Sequence, residues 1–147
     1  MCETTKVRVA MDSGAVKHTI NEDSLPKGAI LIPNTSGKHF VGAGGDHIPR
    51  LGSCKTLMSG ECGKAGCEWQ VADVTRALHS VSTTTGPPTG PGNYDVLFNN
   101  RVGVVVPAGW VDKVLKQVKP LAKYNREGGL YLADMELSGF TRQGQGR

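Results

Sequence analysis

Val7-Arg8-Val9-Ala10-Met11-Asp12-Ser13-Gly14-Ala15 is the stretch around which the chain is organised. Val7, Val9 and Met11 recur with a period of two, which predicts a strand with one apolar face. A carboxylate, a hydroxyl and a glycine follow where that strand ends. The glycine permits a sharp bend and a close approach, and the hydroxyl can hydrogen-bond a neighbouring group. This order predicts a loop that holds the Asp12 carboxylate in the fixed orientation that acid–base chemistry requires.

The same residues also fit an ordinary turn, because Asp, Ser and Gly are common turn residues. The choice between an ordinary turn and a loop that holds the Asp12 carboxylate depends on the order of the segments that follow, because the four residues 12–15 alone carry too little information.

The composition indicates one domain with many turns. The chain has 147 residues, enough for a real core, with 20 Gly, 8 Pro and few aromatic residues. It has no apolar run of roughly 18 residues, so we expect no membrane partner, and no apolar segment follows Met1 as in a signal peptide. We therefore expect an intracellular, cytoplasmic protein or a part of a larger polyprotein.

The charged residues and the cysteines indicate neither a nucleic-acid site nor a metal site. The net charge is +4, but the 17 Lys and Arg residues are scattered and form no basic stripe with interleaved aromatic residues. Direct nucleic-acid binding is therefore not expected. Without a secretory signal a disulfide framework is not expected either. A zinc site formed by Cys62 and Cys67 with the flanking Cys54 and His79 remains an alternative to ordinary thiols, although the spacing matches no paired zinc pattern.

A glycine-rich hairpin is predicted after the first strands. Strand-like residues 38–41 and 47–52 flank a tip made of Gly42, Ala43, Gly44, Gly45 and Asp46. A phosphate-cradling loop would need a helix after the glycines, and Pro49 blocks a helix there. We therefore expect a mobile tip that closes over a bound ligand and excludes water.

The remaining segments predict short strands and one helix. Strands are predicted at residues 16–21, 29–32, 54–58, 68–74, 94–98, 101–106 and 130–135. Apolar residues recur at helical spacing in residues 110–124, which predicts a helix packed in the core, and Pro120 would end it early. Residues 83–92 predict a flexible surface loop. A domain of residues 1–137 would be followed by a disordered tail at residues 138–147.

His18 has two interpretations at this stage. It fits a ligand or a base near Asp12, and it also fits a partly exposed strand histidine without a chemical role.

The order of these segments resembles that of a retropepsin, the aspartic protease of retroviruses and retrotransposons. It is more similar to the protease region of copia-type Gag-Pol polyproteins, in which Asp-Ser-Gly-Ala is typically followed by a histidine at the spacing of His18. Residues 41–52 look like the flap of that family, and residues 71–82 resemble its Val-x-x-Val-x-x-Leu-Leu-Ser-Val segment. Residues 96–98 and 128–132 resemble its closing strands. His79 departs from the family pattern, which has an aliphatic residue there, as do the long loop at residues 83–92 and the helix near the C-terminus.

The resemblance implies a closed, single-lobe β-barrel with one helix near the C-terminus. It assigns catalysis to Asp12 and support of the active-site loop to Ser13, Gly14 and Ala15. Aspartic proteases need two carboxylates about 3 Å apart that share one proton. Because Asp-Ser-Gly occurs once, the second carboxylate would come from another copy, in a homodimer with the two Asp12 residues at the two-fold axis.

The resemblance also implies the substrate and the setting. Gly42 to Asp46 would form the flap over an extended peptide or polyprotein substrate, which would bind by strand-like hydrogen bonds. No metal or organic cofactor is needed, and the setting would be the cytoplasm or a retroelement particle. Two alternatives stay open. One is an inactive dimerisation or peptide-binding module with the same fold, and the other is a nucleic-acid-associated retroelement fragment, suggested by the basic pI alone.

Overall fold

The structure is a computed structural model that describes residues 3–34, 39–41, 47–61 and 63–140. These residues contain eleven strands and two short α-helices. Side chains are described for these residues except 39–41 and 47–49. The strands are β1 (Val9–Asp12), β2 (Thr19–Ile20), β3 (Ile32–Pro33), β4 (His39–Val41), β5 (His47–Gly60), β6 (Gly63–Ala72), β7 (Ala77–Ser80), β8 (Tyr94–Phe98), β9 (Gly103–Pro107), β10 (Asn125–Glu127) and β11 (Leu130–Leu132). The helices are α1 (Val81–Thr85) and α2 (Trp110–Gln117).

The main sheet places the predicted first strand beside the segment that precedes α1. Its strand order is β1-β7-β2-β6-β5-β3, with β4 also paired to β5. β1 and β7 run parallel from Val9–Ala77 to Asp12–Ser80, while β2 lies antiparallel on the other side of β7. The chain leaves β1 and enters β2, so residues 13–18 must cross over the end of β7.

The β5–β6 pair is longer than the sequence predicts. The strands were expected at residues 54–58 and 68–74, around a turn at 60–66, but the ladder continues to Gly60 and Gly63. Backbone pairing needs no side chain, so the small residues near the turn join the ladder. The alternation in residues 68–74 did not decide which face of this strand is buried. The structure shows that Cys67, Trp69 and Val71 point into the core.

The core lies where β2, β5, β6 and β7 meet. Its buried members are Ile20, Cys54, Cys67, Trp69, Val71 and Ala77, with six partly buried apolar residues packed around them. Val9 of β1 is among these six. The strand that carries Asp12 is therefore anchored on the core, because its apolar face is packed there.

The described sheet is open, which corrects the expected closed β-barrel. β1 and β3 stand at opposite ends of the strand order and do not pair, while β8–β9 and β10–β11 form separate two-stranded sheets. β2 and β3 are only two residues long, so the described strands offer little backbone with which to close a barrel. The chain is mostly β, but the retropepsin barrel is not seen.

The predicted helix forms but is shorter and more exposed than expected. α2 ends at Gln117 and Val118 is extended, because Pro120 disfavours helical conformation before it and cannot continue the hydrogen-bond ladder. The expectation of core packing is wrong: Trp110, Val111, Val114 and Leu115 are 41–49% exposed. No helix in the described ranges is long and apolar enough to cross a membrane.

The start of the predicted flexible loop is helical. Residues 83–85 belong to α1, because Ser80 caps its first turn by accepting the backbone N–H of Thr83 at 3.1 Å. The last strand is also shorter than predicted and ends at Leu132, paired with β10. Residues 138–140 of the predicted tail have no regular structure, and residues 141–147 lie outside the described residues.

Candidate active site

The Asp12 carboxylate is held by its own loop. Asp12 is the last residue of β1 and is partly buried. Its Oδ1 accepts the backbone N–H of Gly14 at 2.7 Å, and its carbonyl oxygen accepts the N–H of Ala15 at 3.4 Å. A Cβ on Gly14 would lie 3.2 Å from Oδ1, so glycine allows the backbone to approach the carboxylate closely. One carboxylate oxygen is thereby fixed in orientation.

The other residues of the predicted loop have different surroundings. Ser13 is exposed and borders an open groove, while Ala15 is partly buried. The predicted flap residues Gly42, Ala43, Gly44, Gly45 and Asp46 lie outside the described residues. The two arms of the hairpin are described, and they pair antiparallel from His39–Pro49 to Val41–His47.

The loop of residues 13–18 is tied to the corner between β7 and α1. His18 Nδ1 accepts the backbone N–H of Ser80 at 3.0 Å, and the Thr83 hydroxyl donates to the carbonyl oxygen of Val16 at 3.1 Å. The turn between β10 and β11 also lies on Val16, because a Cβ on Gly129 would be 2.7 Å from Val16 Cγ1. The loop is therefore held at its second half as well as at Asp12.

Ser80 is the centre of this corner. It is fully buried, it is the register partner of Asp12 across the parallel pair, and its hydroxyl lies 3.0 Å from that of Ser82. Neighbouring strands lie about 4.8 Å apart, so a shift of Ser80 would also displace Asp12 at the end of β1.

The hydrogen bond to Ser80 fixes the tautomer of His18. A backbone N–H can only donate, so Nδ1 must be the unprotonated nitrogen and the neutral ring carries its proton on Nε2. Both nitrogens are then occupied, one by the hydrogen bond and one by a proton. This geometry argues against His18 as a metal ligand, and the described residues contain no group of three His, Cys, Asp or Glu that could hold a metal ion.

His18 belongs to a cluster of rings beneath the loop. Its ring meets that of His79 edge-on at 4.9 Å and lies 6.1 Å from Trp69. His79 stacks on Trp69 at 5.1 Å, and its Nε2 lies 3.1 Å from Met58 Sδ. Trp69 in turn donates its indole N–H to the Thr56 hydroxyl at 2.9 Å. His79 is thus a packed member of the floor below the loop of residues 13–18.

Burial disfavours a positive charge on both histidines. Desolvation lowers the pKa of His18 to about 4, with smaller contributions from His79 and Lys17, which repel a second positive charge. Desolvation also lowers the pKa of His79. The His18 ring is therefore neutral above about pH 4.

The two cysteines among the described residues lie in the core, apart from this site. Cys54 and Cys67 are buried in the core, and desolvation followed by the charge of Glu68 raises the pKa of the Cys67 thiol to about 11. A buried thiol with so high a pKa is a poor nucleophile and metal ligand. Cys2 and Cys62 lie outside the described residues.

An open groove of about 1030 Å³ runs from Ser13 past the end of α1 to β8 and α2. Its walls are rich in aromatic residues and prolines: Tyr94, Phe98, Tyr124, Tyr131, Pro87 and Pro88. Two contacts hold one wall in place. The Tyr131 hydroxyl lies 3.3 Å from that of Thr85, and the Arg126 guanidinium donates to the carbonyl oxygen of Gly86. Such a groove is large enough for several residues of an extended peptide.

Sequence reasoning found the loop but missed its supports. Asp12 and Gly14 were predicted because the residue types themselves suggest a held carboxylate. Ser80, Thr83 and Trp69 were missed as parts of the site, since Ser80 and Thr83 bond residues 62 and 67 positions away along the chain and Trp69 lies beside the distant His18. For His18 the only available signal was its spacing from Asp12, and that left its role open.

No protein-family model, no curated protein and no solved structure matches this chain. The function must therefore be inferred from the geometry of the site and the chemistry of its residues.

Proposed function

We propose that this chain is an aspartic endopeptidase of retroelement origin, which hydrolyses peptide bonds with a water activated by two Asp12 carboxylates in a homodimer. The observation that carries the proposal is the carboxylate at the end of β1, with Oδ1 held by the Gly14 N–H at 2.7 Å. A carboxylate in fixed orientation is what a proton-sharing dyad requires, because one member must act as base on water while the other acts as acid.

The surroundings of Asp12 support a peptide as the substrate. The groove that begins at Ser13 is lined by aromatic and proline side chains, which suit the side chains of an extended peptide. The paired arms of β4 and β5 form the base of a hairpin, whose glycine-rich tip would close over that peptide.

The exposed apolar surface supports a second copy. Apolar residues of α2 and of the β8–β9 hairpin are about half exposed, among them Trp110, Val114, Phe98 and Val105. A surface of this kind is typical of a protein that associates. Because each chain supplies one Asp-Ser-Gly, association is also what would complete the dyad.

Peptide cleavage by the purified chain between about pH 4 and 7, the range that a shared-proton dyad permits, tests the proposal. Asp12→Asn should abolish cleavage, since an amide can neither activate water nor share the proton. The matched control is Asp73→Asn, because Asp73 is exposed and lies outside the site. Pepstatin should inhibit the wild type.

Sedimentation separates the alternatives. An inert wild type that is a folded dimer would favour the dimerisation or peptide-binding module, which the groove would serve equally well. Salt-sensitive nucleic-acid binding would instead favour the nucleic-acid-associated fragment.

A further inference from the structure

We propose that His18 is a positioning residue, which fixes the active-site loop over the end of β7 through its hydrogen bond to the backbone N–H of Ser80. The inference rests on the proposed function for its catalytic consequence, but the structural link can be measured without any substrate.

The topology makes this hydrogen bond a tie between the two ends of the loop. β7 lies between β1 and β2 in the sheet, so residues 13–18 bridge from one side of β7 to the other. Asp12 is the register partner of Ser80 at the start of the bridge. His18, at its end, bonds the same residue at 3.0 Å. Both ends of the loop therefore lie next to Ser80, one through strand pairing and the other through a hydrogen bond.

The backbone of His18 is fixed independently of its ring. Its carbonyl oxygen accepts the N–H of Gln70 at 2.8 Å, which ties the residue to β6. The ring is packed against His79 and lies near Trp69. The imidazole is therefore held in place by neighbours on β6 and β7, and it transmits that position to Ser80.

Protonation of the ring would remove the tie. An imidazolium carries a hydrogen on Nδ1 and cannot accept the Ser80 N–H. The titratable or charged groups that act on the ring are His79 of β7 and Lys17 of the loop itself, while Trp69 of β6 contributes no charge. Both groups disfavour a charge on His18. The tie persists through the weakly acid range and is lost as the pH approaches 4, where the ring takes up a proton.

NMR of the isotope-labelled full chain tests the link directly. At pH 7 the His18 ring should show the tautomer with the proton on Nε2, and the Ser80 amide should shift with the same midpoint as the ring as the pH is lowered. A ring protonated on Nδ1 at pH 7, or a Ser80 amide that does not follow the ring, would overturn the proposal. These two measurements need no variant.

Two variants test whether the link positions Asp12. In His18→Asn the side-chain oxygen can replace Nδ1 as acceptor, whereas His18→Leu has no acceptor. At pH 7 the Gly14 amide, which reports the Asp12 carboxylate, should shift in His18→Leu and return towards the wild-type position in His18→Asn. The matched control is Lys17→Gln, because Lys17 is an exposed residue of the same loop and the change leaves the His18 ring, its packing and its bond to Ser80 in place. An unchanged Gly14 amide in folded His18→Leu would overturn the positioning role.

Kinetic measurements then test whether the His18–Ser80 hydrogen bond affects peptide cleavage. We expect kcat to fall about 10- to 100-fold in His18→Leu, as for a misplaced catalytic group, with KM little changed because the groove is intact. His18→Asn should restore most of the loss and retain activity at lower pH than the wild type. If no form of the chain cleaves a peptide, the proposed function fails, while the NMR results still decide whether His18 holds the loop.

Discussion

Replacing His18 by asparagine should change how the stability of the protein depends on pH. The pKa of His18 is lowered from 6.5 to about 4 in the folded protein, chiefly by desolvation. Above pH 6.5 the ring is neutral in both the folded and the unfolded state and has no effect on the pH dependence. Between pH 6.5 and 4 the unfolded chain binds a proton that the folded protein does not, so the folded state loses stability as the pH falls.

The size of this loss follows from the same pKa values. Stability changes by about 1.4 kcal/mol per pH unit while the two states differ by one proton. From 6.5 to about 4 this gives a loss of about 3.5 kcal/mol at most, and partial solvent access to the ring reduces it to about 2–3 kcal/mol. That is a large share of the stability of an ordinary domain.

Urea unfolding at pH 7, 6, 5 and 4 measures the effect. Trp110→Phe in both proteins leaves Trp69, which lies against the cluster, as the only tryptophan to report. The free energy of unfolding of the wild type minus that of His18→Asn should fall by about 2–3 kcal/mol between pH 7 and 4, because asparagine does not titrate. The two proteins contain the same carboxylates, so the difference between them cancels most of the carboxylate contribution to the pH dependence. Measuring both at one protein concentration cancels any effect of association.

A difference that stays constant within about 0.5 kcal/mol over this range would refute the reasoning, because it would show that His18 is not kept neutral by the fold. His79→Leu is the control: it removes the other buried imidazole, and the loss due to His18 should persist at a smaller size, because desolvation is the largest cause of the lowered pKa of His18 and the charge of His79 a lesser one.

Further predictions concern packing, capping and thiol reactivity. Gly52→Ala should destabilise the chain by about 2 kcal/mol or more in urea unfolding, because its Cβ would lie 2.1 Å from the Ile32 carbonyl oxygen, whereas Gly60→Ala should cost much less since that Cβ meets nothing within 4 Å. Asp95→Ala should lower the free energy of unfolding by about 1 kcal/mol, because Asp95 Oδ2 accepts the N–H groups of Gly109 and Val111 at the start of α2. An equal loss of stability in Asp73→Ala would contradict this role. Cys67 should react slowly with iodoacetamide at pH 8 in the folded chain and quickly in urea, because burial raises its pKa to about 11; rapid labelling of the folded chain, followed by mass spectrometry, would argue against this burial.

The local features of this protein follow from local sequence. Alternation at Val7, Val9 and Met11 predicted β1, and the residue types of Asp12 and Gly14 predicted a held carboxylate. Helical spacing predicted α2, and Pro120 explained why it ends at Gln117. These predictions succeed because strand alternation, helix periodicity and the effect of proline depend on neighbours within a few residues.

Three predictions failed where distant parts of the chain decide the outcome. The helix was expected in the core but is about half exposed, since amphipathic spacing shows that a helix has an apolar face but not what covers it. The barrel was expected to be closed but the described sheet is open, because closure depends on which edge strands meet. Residues 83–85 were expected to be a flexible loop but belong to α1, which begins at the cap that Ser80 provides at the end of β7.

The sequence by itself therefore determined that a carboxylate, a hydroxyl and a glycine stand where a strand ends, and that the two strand-like arms after them pair. Only the tertiary structure decided that β7 lies beside β1 and that His18 accepts the Ser80 N–H. The physical reason is that a strand's own residues specify its alternation, whereas its partners are selected by packing against the whole core. The role of His18 could not be read from its spacing to Asp12, because the atom it bonds is 62 residues away along the chain.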